Sequence, residues 1–159
     1  MTITPDIHRE LAVEANNATW ELLGSSPTAP SPDDADEMLR CAYAAGYHWA
    51  RAEGSSPANV ARAEWLISRV WAVRSDGAMA LRHGQRCLAT CESAGLADFD
   101  LAYAYEAIAR ASACRGETDE ARDHLRRASG VTIADAEDRE LFESDLAAPP
   151  WFGLGRPQS

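Results

Sequence analysis

A stripe of mostly small residues recurs along this chain with a period of about 41 residues. The members of each stripe stand at positions i, i+4 and i+7, which lie on one side of an α-helix. The three copies are Met38/Ala42/Ala45, Ala80/Gly84/Cys87 and Ala121/Leu125/Ala128. Small side chains let a neighbouring helix approach closely, and a fixed period of about 20–50 residues is typical of stacked helical repeats. The spacing therefore predicts an all-α fold of stacked helix pairs.

The amino-acid composition also favours helices. Of the 159 residues 31 are Ala, the best helix former, whereas β-branched residues are sparse. A chain of this length is expected to form one domain that buries roughly two-thirds of its unfolded surface. We predict a single helical-repeat domain over residues 1–146, a right-handed array of about three antiparallel helix hairpins with a C-terminal capping helix. An apolar, proline-containing tail over residues 147–159 follows it.

Glycine, proline and capping residues divide the chain into seven predicted helices. The first covers about residues 6–23, and the proline-rich segment Ser25–Pro32 that follows it cannot be helical. The second continues to about Glu53, and the seventh covers about residues 134–146. Short connections between them make sequential helices antiparallel neighbours.

The chain carries a net charge of −10, and all 15 of its basic residues are arginines. The absence of lysine excludes a lysine Schiff base, including covalent attachment of pyridoxal phosphate, and the lysine of a phosphate-binding P-loop. We predict no cofactor. Phosphate-rich partners attract basic surfaces, so an acidic chain is a poor partner for nucleic acid or for an anionic membrane. We expect neither as a partner.

The sequence also bears on location. Its first residues, MTITPDIHRE, lack the basic segment and apolar run of a secretory signal, and no stretch approaches the ~20 apolar residues that cross a bilayer. These features predict a cytoplasmic protein. Its cysteines are then expected to stay reduced and to pack as small apolar side chains. They are Cys41, Cys87, Cys91 and Cys114.

The segment Leu101–Gly130 resembles a tetratricopeptide repeat. Its bulky, small and turn residues fall where that family places them, namely Tyr105, Ile108, Ala109, Gly116, Ala121, Leu125 and Ala128. The segment Glu64–Leu88 is a weaker second copy, in which Gly84 stands in place of a bulky residue. The resemblance implies a concave groove, lined by the first helix of each repeat, that holds extended peptides. Carried onto this chain, the groove residues are Arg62, Trp65, Arg69, Tyr103, Glu106 and Arg110, with Asn16, Asn17 and Trp20 by analogy.

The residues of this predicted groove suit an acidic ligand. Trp65 and Arg69 are four residues apart, as are Glu106 and Arg110, so each pair projects from one side of its helix. Arginine offers paired donors to a carboxylate or phosphate and stacks on aromatic rings. We predict a non-catalytic interaction or adaptor module that binds a protein, a peptide or a small acidic ligand, with its arginines partly exposed. The alternative is plain scaffolding, in which Trp65 belongs to the core and Glu106–Arg110 is an ordinary surface pair.

One helical stripe carries residue types that can bind a metal ion. His83, Cys87 and Cys91 stand at i, i+4 and i+8, and Cys114 could approach from the fifth helix. Imidazole and sulfur are zinc ligands. Structural zinc sites usually draw their ligands from turns with Cys-x-x-Cys spacing, which this chain lacks. We predict packed thiols and no bound metal.

An enzyme or ligand sensor is the second hypothesis. His48, Glu64 and His83 could form a polar pocket, because a histidine near a carboxylate can act as a general acid or base. Ser68 shares a helix face with Glu64, although each of these residues also has a purely structural explanation. The chain has no nucleophile elbow, metalloprotease motif or glycine-rich phosphate loop, and we assign no catalytic residue. A structural or oligomeric helper, for example a homodimer, is the third hypothesis.

The tail carries the apolar segment Pro149-Pro150-Trp151-Phe152, which its prolines keep extended. We predict that Trp151 and Phe152 fold back to cover the last repeat, because terminal repeats need a cap. A peptide that docks into a partner is the alternative.

Overall fold

The computed structural model describes residues 2–25 and 30–155. Within these residues the chain forms seven helices and no strand, and helices cover 77% of the residues described. The helices are α1 (Pro5–Ser25), α2 (Pro32–Trp49), α3 (Pro57–Val73), α4 (Gly77–Ala94), α5 (Asp98–Cys114), α6 (Thr118–Gly130) and α7 (Ala136–Ala147). The predicted all-α fold class is confirmed. Part of the predicted loop at Ser25–Pro32, and residues 156–159 of the tail, lie outside the described residues.

The second helix is shorter than its sequence predicts, because α2 ends at Trp49 instead of near Glu53. Turns and a bend follow it, and the backbone N–H of Glu53 donates to the carbonyl oxygen of Pro5 over 3.0 Å. Gly54 has a φ of +67°, a left-handed conformation that glycine adopts without steric cost. A bond to the start of α1 therefore holds the connection after α2, and the local sequence contains no signal of that bond.

The recurring small residues lie where helices meet, and every member of the three stripes is buried. The closest approach is at Gly84 on α4. A Cβ added there would lie 3.3 Å from backbone atoms of Ala107 and Ile108 on α5. Because backbone atoms cannot move aside as a flexible side chain can, α4 and α5 leave no room for the bulky residue that the repeat resemblance places at this position.

Each helix from α1 to α5 packs against the next one along the chain, α3 and α5 also pack against each other, and α7 packs against α5. The main core includes Met38, Leu66, Ile67 and Val70, and it continues to Phe142, through which α7 contacts α5. Helices α3 and α5 are the most buried and form the centre of the array. No helix in the described part of the chain is both long and apolar enough to cross a membrane.

Candidate functional site

A pocket of about 310 Å³ lies between α1, α3, α5 and α7. Its volume is at the lower end of the ~300–1,000 Å³ typical of small-ligand sites. Most of the lining is apolar and consists of Trp20, Ala61, Trp65, Leu66, Cys87, Phe99, Tyr103 and Leu141. The polar lining residues are Asn16, Arg62, Asp100 and Asp145. The pocket therefore offers a mainly hydrophobic surface with a few charged groups.

Aromatic rings from three helices form a continuous wall of this pocket. Trp20 of α1 stacks on Trp65 of α3, with ring centroids 5.4 Å apart and planes 23° from parallel. Trp65 and Tyr103 of α5 form an edge-to-face pair with ring centroids 5.0 Å apart. Tyr103 also contacts Phe99 at 4.7 Å, and it contacts Phe142 of α7, which does not line the pocket, at 5.0 Å. Each of these geometries is favourable for aromatic pairs and keeps the rings in defined positions.

A buried polar network lies behind this wall. Glu106 accepts hydrogen bonds from Trp65 Nε1 at 2.6 Å, from Arg110 Nε at 2.6 Å and from Arg69 Nη1 at 3.3 Å. Only 1% of Glu106, 1% of Arg110 and 9% of Arg69 is exposed. One carboxylate is thus shared by two guanidinium groups and one indole. Because the indole N–H is bound to Glu106, the network also sets the orientation of the Trp65 ring in the pocket wall.

The C-terminal tail completes this network with backbone carbonyl groups. Arg110 donates to the carbonyl oxygens of the tail residues Ala148 and Pro150 over 2.9 and 2.8 Å, and to that of Asp145 in α7 over 3.1 Å. Arg69 donates to the carbonyl oxygen of Pro149 over 3.0 Å. The Arg110 guanidinium carbon also lies 4.0 Å from the centre of the Trp151 ring, a cation–π contact. The tail therefore occupies one end of the predicted groove.

Burial lowers the pKa of the Arg110 guanidinium to about 10, and the neighbouring Glu106 opposes that shift. Arg110 is therefore still charged at neutral pH. A buried positive charge needs partners, and here it has one carboxylate, three carbonyl oxygens and an aromatic face.

The predicted exposure of the arginines is wrong for Arg69 and Arg110. Both side chains are buried, because the chain after α7 folds over them and uses their donors. The alternative of a Glu106–Arg110 surface pair is wrong for the same reason. Arg62 is the predicted guanidinium that lines the pocket, and it pairs with Asp100 over 2.7 and 3.3 Å. Of its side chain 57% is exposed, so Arg62 lies at the rim.

The other predicted groove residues are divided between the pocket and its surroundings. Trp65 and Tyr103 line it, as do Asn16 and Trp20, which were inferred by analogy, whereas Asn17 does not. Trp65 is also buried in the core, as the scaffolding alternative predicts. Tail residue Trp151 folds back as predicted, but Phe152 stays substantially exposed.

Sequence analysis missed the contribution of α7. Its Leu141 and Asp145 close the pocket, and Asp145 accepts a hydrogen bond from Tyr103 Oη over 2.5 Å. Burial raises the pKa of the Asp145 carboxyl group. Burial and the bond to Asp145 together raise the pKa of the Tyr103 phenol, so Tyr103 remains the donor. Since Phe142 is the one buried residue of α7, this helix has no apolar stripe that could have indicated its position.

Two of the three residues of the second hypothesis meet in the structure, and the third, His48, lies elsewhere. His83 Nδ1 lies 2.6 Å from Glu64 Oε2, so these two side chains do meet. His48 instead contacts His8 of α1, with 2.7 Å between their Nδ1 atoms. Ser68 donates to the carbonyl oxygen of Ala80, a structural bond between α3 and α4. The pocket between α1, α3, α5 and α7 contains none of these residues.

The cysteines of α4 are packed in the interior. Cys87 and Cys91 are buried, and Cys87 forms part of the pocket wall. A hydrogen bond to Cys91 and burial raise the pKa of the Cys87 thiol well above its usual range. Cys87 therefore carries its proton and presents an apolar surface. In the described residues no group of three or more His, Cys, Asp or Glu side chains is arranged to hold a metal ion.

The His8–His48 contact leads to a prediction about pH. Burial, followed by the charges of His8 and Arg51, lowers the pKa of His48 from its ordinary value of 6.5. Below about pH 6.5 the unfolded chain then binds more protons than the folded one, so folding stability decreases as the pH falls. We expect the thermal transition of the wild type to fall between pH 7.5 and pH 5.5 by more than that of His48→Asn.

The matched control for this measurement is His124→Asn, which removes a histidine that bonds only within α6. Thermal melts followed by circular dichroism should give this variant the pH dependence of the wild type. Equal decreases of the thermal transition in the wild type and in His48→Asn would show that His48 does not contribute to the pH dependence of stability.

Comparison with protein-family models, with curated proteins and with solved structures gave no match. The geometry of the pocket is therefore the basis for assigning a function.

Proposed function

We propose that this protein is a non-catalytic binding module of tetratricopeptide-like architecture, which holds a large apolar side chain of a peptide partner in the pocket between α1, α3, α5 and α7. The observation that carries this proposal is the wall of Trp20, Trp65, Phe99 and Tyr103 around a volume of about 310 Å³. Aromatic walls of this kind are typical of sites that recognise an anchoring residue. A Trp, Phe or Leu side chain of the partner suits its size.

The position of the pocket supports the repeat-like interpretation. In an array of helix hairpins, α1, α3 and α5 are the first helices of successive pairs, and all three contribute to the pocket. That is the face expected to form the concave groove. Direct packing of α3 on α5, which are not consecutive in the chain, agrees with stacked pairs.

The charges near the pocket refine the choice of ligand. Arg69 and Arg110 have their donors bound to Glu106 and to the tail, so they are not free to bind an acidic ligand. Arg62 remains at the rim beside Asp100 and Phe99. The ligand is therefore mainly apolar, and an acidic group next to its anchoring side chain would contact Arg62.

A fluorescent probe that combines these two features tests the proposal. The naphthalene ring of 8-anilinonaphthalene-1-sulfonate fits an aromatic pocket, and its sulfonate can pair with Arg62. We expect saturable binding of one probe per chain. Trp20→Ala should weaken it about 10-fold, which corresponds to about 1.4 kcal/mol for the loss of one aromatic contact.

Tyr47→Ala is the matched control, because Tyr47 is also an exposed aromatic residue but does not line the pocket. Its affinity for the probe should equal that of the wild type. Equal losses of probe affinity in the two variants, or binding that does not saturate, would mean that the probe binds exposed aromatic rings in general. The pocket would then not be a binding site.

A further inference from the structure

A second polar cluster lies outside the pocket, where α2, α3 and α4 meet. Tyr43 Oη of α2 lies 2.8 Å from His83 Nε2 of α4, and His83 Nδ1 lies 2.6 Å from Glu64 Oε2 of α3. The other oxygen of Glu64 accepts from Arg86 Nε over 3.0 Å. Trp71 Nε1 donates to Tyr43 Oη over 3.1 Å. These five side chains form one connected chain of hydrogen bonds.

The donors of this chain determine where its protons lie. An indole N–H can only donate, so the Tyr43 oxygen accepts from Trp71 and has its own O–H to donate. His83 Nε2 is the group that accepts it, which leaves the imidazole proton on Nδ1, directed at Glu64. We assign this tautomer from the hydrogen-bond partners. The unprotonated nitrogen of His83 therefore faces the phenol proton of Tyr43.

This order of groups is that of an activated nucleophile. A hydroxyl group, a histidine base within hydrogen-bond reach and a carboxylate that orients the base are the three parts that such sites share. The exposure of the three residues also agrees with these roles, because His83 and Glu64 are mostly shielded from solvent whereas 39% of Tyr43 is exposed. The Tyr43 side chain is thus open to solvent, while the histidine base and its carboxylate are mostly shielded.

We propose that Tyr43 is a site of covalent acylation, at which the phenol oxygen takes an acyl group from an activated acyl donor with His83 as its general base. The Tyr43 oxygen attacks the acyl carbon, a new O–C bond forms, and the bond from that carbon to the leaving group breaks. The phenol proton passes to His83 Nε2 and then to the leaving group. The products are an aryl ester at Tyr43 and the protonated leaving group, and no oxidation or reduction takes place. This proposal is independent of the pocket.

N-acetylimidazole is the probe for this reaction, and the chain supplies an internal control. Trypsin cleaves after Arg40 and Arg51, so Tyr43 and Tyr47 lie in the same peptide and their acetylation is compared by fragmentation in one mass spectrum. Tyr47 is the more exposed of the two, at 53% against 39%. Exposure alone therefore predicts faster acetylation of Tyr47. We expect Tyr43 to react at least about 10-fold faster, since general-base assistance typically contributes ~10²–10⁴-fold.

A rate at Tyr43 equal to or below that at Tyr47 would overturn the proposal, and this comparison requires no variant to fold. His83→Asn and Glu64→Gln extend the test, with folding checked by circular dichroism. Both substitutions should slow the acetylation of Tyr43 toward the rate at Tyr47 and leave the acetylation of Tyr47 unchanged. The control His124→Asn should leave both acetylation rates unchanged. If Tyr43 is still acetylated rapidly in a folded His83→Asn protein, the histidine is not its base and the proposal is wrong.

Discussion

We expect Glu106→Gln to lower the thermal transition of this protein by roughly 10 °C. Glu106 is the carboxylate between the buried guanidinium groups of Arg69 and Arg110, and it also accepts from Trp65. Glutamine keeps the size of the side chain but removes its charge, and its NH₂ group cannot accept a hydrogen bond from arginine. Removal of one member of a buried ion pair typically costs about 3–5 kcal/mol, and each kcal/mol corresponds to about 2–4 °C in a domain of this size.

Asp123→Asn is the matched control for this substitution. Asp123 also pairs with two arginines, Arg126 and Arg127, but on the exposed surface of α6. We expect its thermal transition to stay close to that of the wild type, because exposed ion pairs are screened by water and salt. Circular dichroism melts of both variants check the contrast. If Glu106→Gln unfolds at the same temperature as Asp123→Asn, the buried network does not stabilise the fold.

We expect Trp151→Ala to lower the free energy of unfolding by about 2–4 kcal/mol, because it removes a cation–π contact to the buried Arg110 guanidinium and the apolar area of a partly buried ring. The Trp151 side chain also fixes the tail through its bond from Nε1 to the carbonyl oxygen of Leu146, 2.8 Å long. Loss of this bond loosens the segment whose carbonyl groups bind Arg69 and Arg110. Urea titration measures the change.

Phe152→Ala tests whether the effect belongs to Trp151 or to apolar tail residues in general. Phe152 is the neighbouring aromatic residue, and it is substantially exposed. Removal of an exposed ring typically changes stability little, within about ±0.5 kcal/mol. A loss of stability in Phe152→Ala as large as that in Trp151→Ala would contradict the role of Trp151 as the anchor of the tail.

The buried arginines show what residue spacing within a helix can and cannot predict about a site. Trp65 and Arg69, and likewise Glu106 and Arg110, share a helix face because residues four apart always do. The spacing predicted each pair separately, and the tetratricopeptide resemblance placed both pairs in one groove, whereas the structure joins the four residues in one buried network. The spacing could not show whether that network faces water. The answer depends on residues 145–151, whose carbonyl groups reach the two arginines from about 35 to 80 positions away in the chain.

The histidines show the same limit. The sequence places His48 near the end of one helix and Glu64 and His83 on the next two, which made one polar pocket plausible. The structure pairs His48 with His8 and His83 with Tyr43, each across 40 positions of the chain. Those pairings depend on how far each helix is rotated about its axis against its neighbours, and the spacing within a single helix does not contain that information.

The all-α fold class, the number of helices in the described part of the chain and the stripes of mostly small residues could be predicted from the sequence. Those features follow from local rules, because helix propensity, capping and the 3.6-residue turn act within a few residues. The sequence did not predict that α7 closes an aromatic pocket against α1, α3 and α5, or that the tail covers Arg69 and Arg110. These contacts join segments far apart in the chain, and their geometry is set by the packing of whole helices.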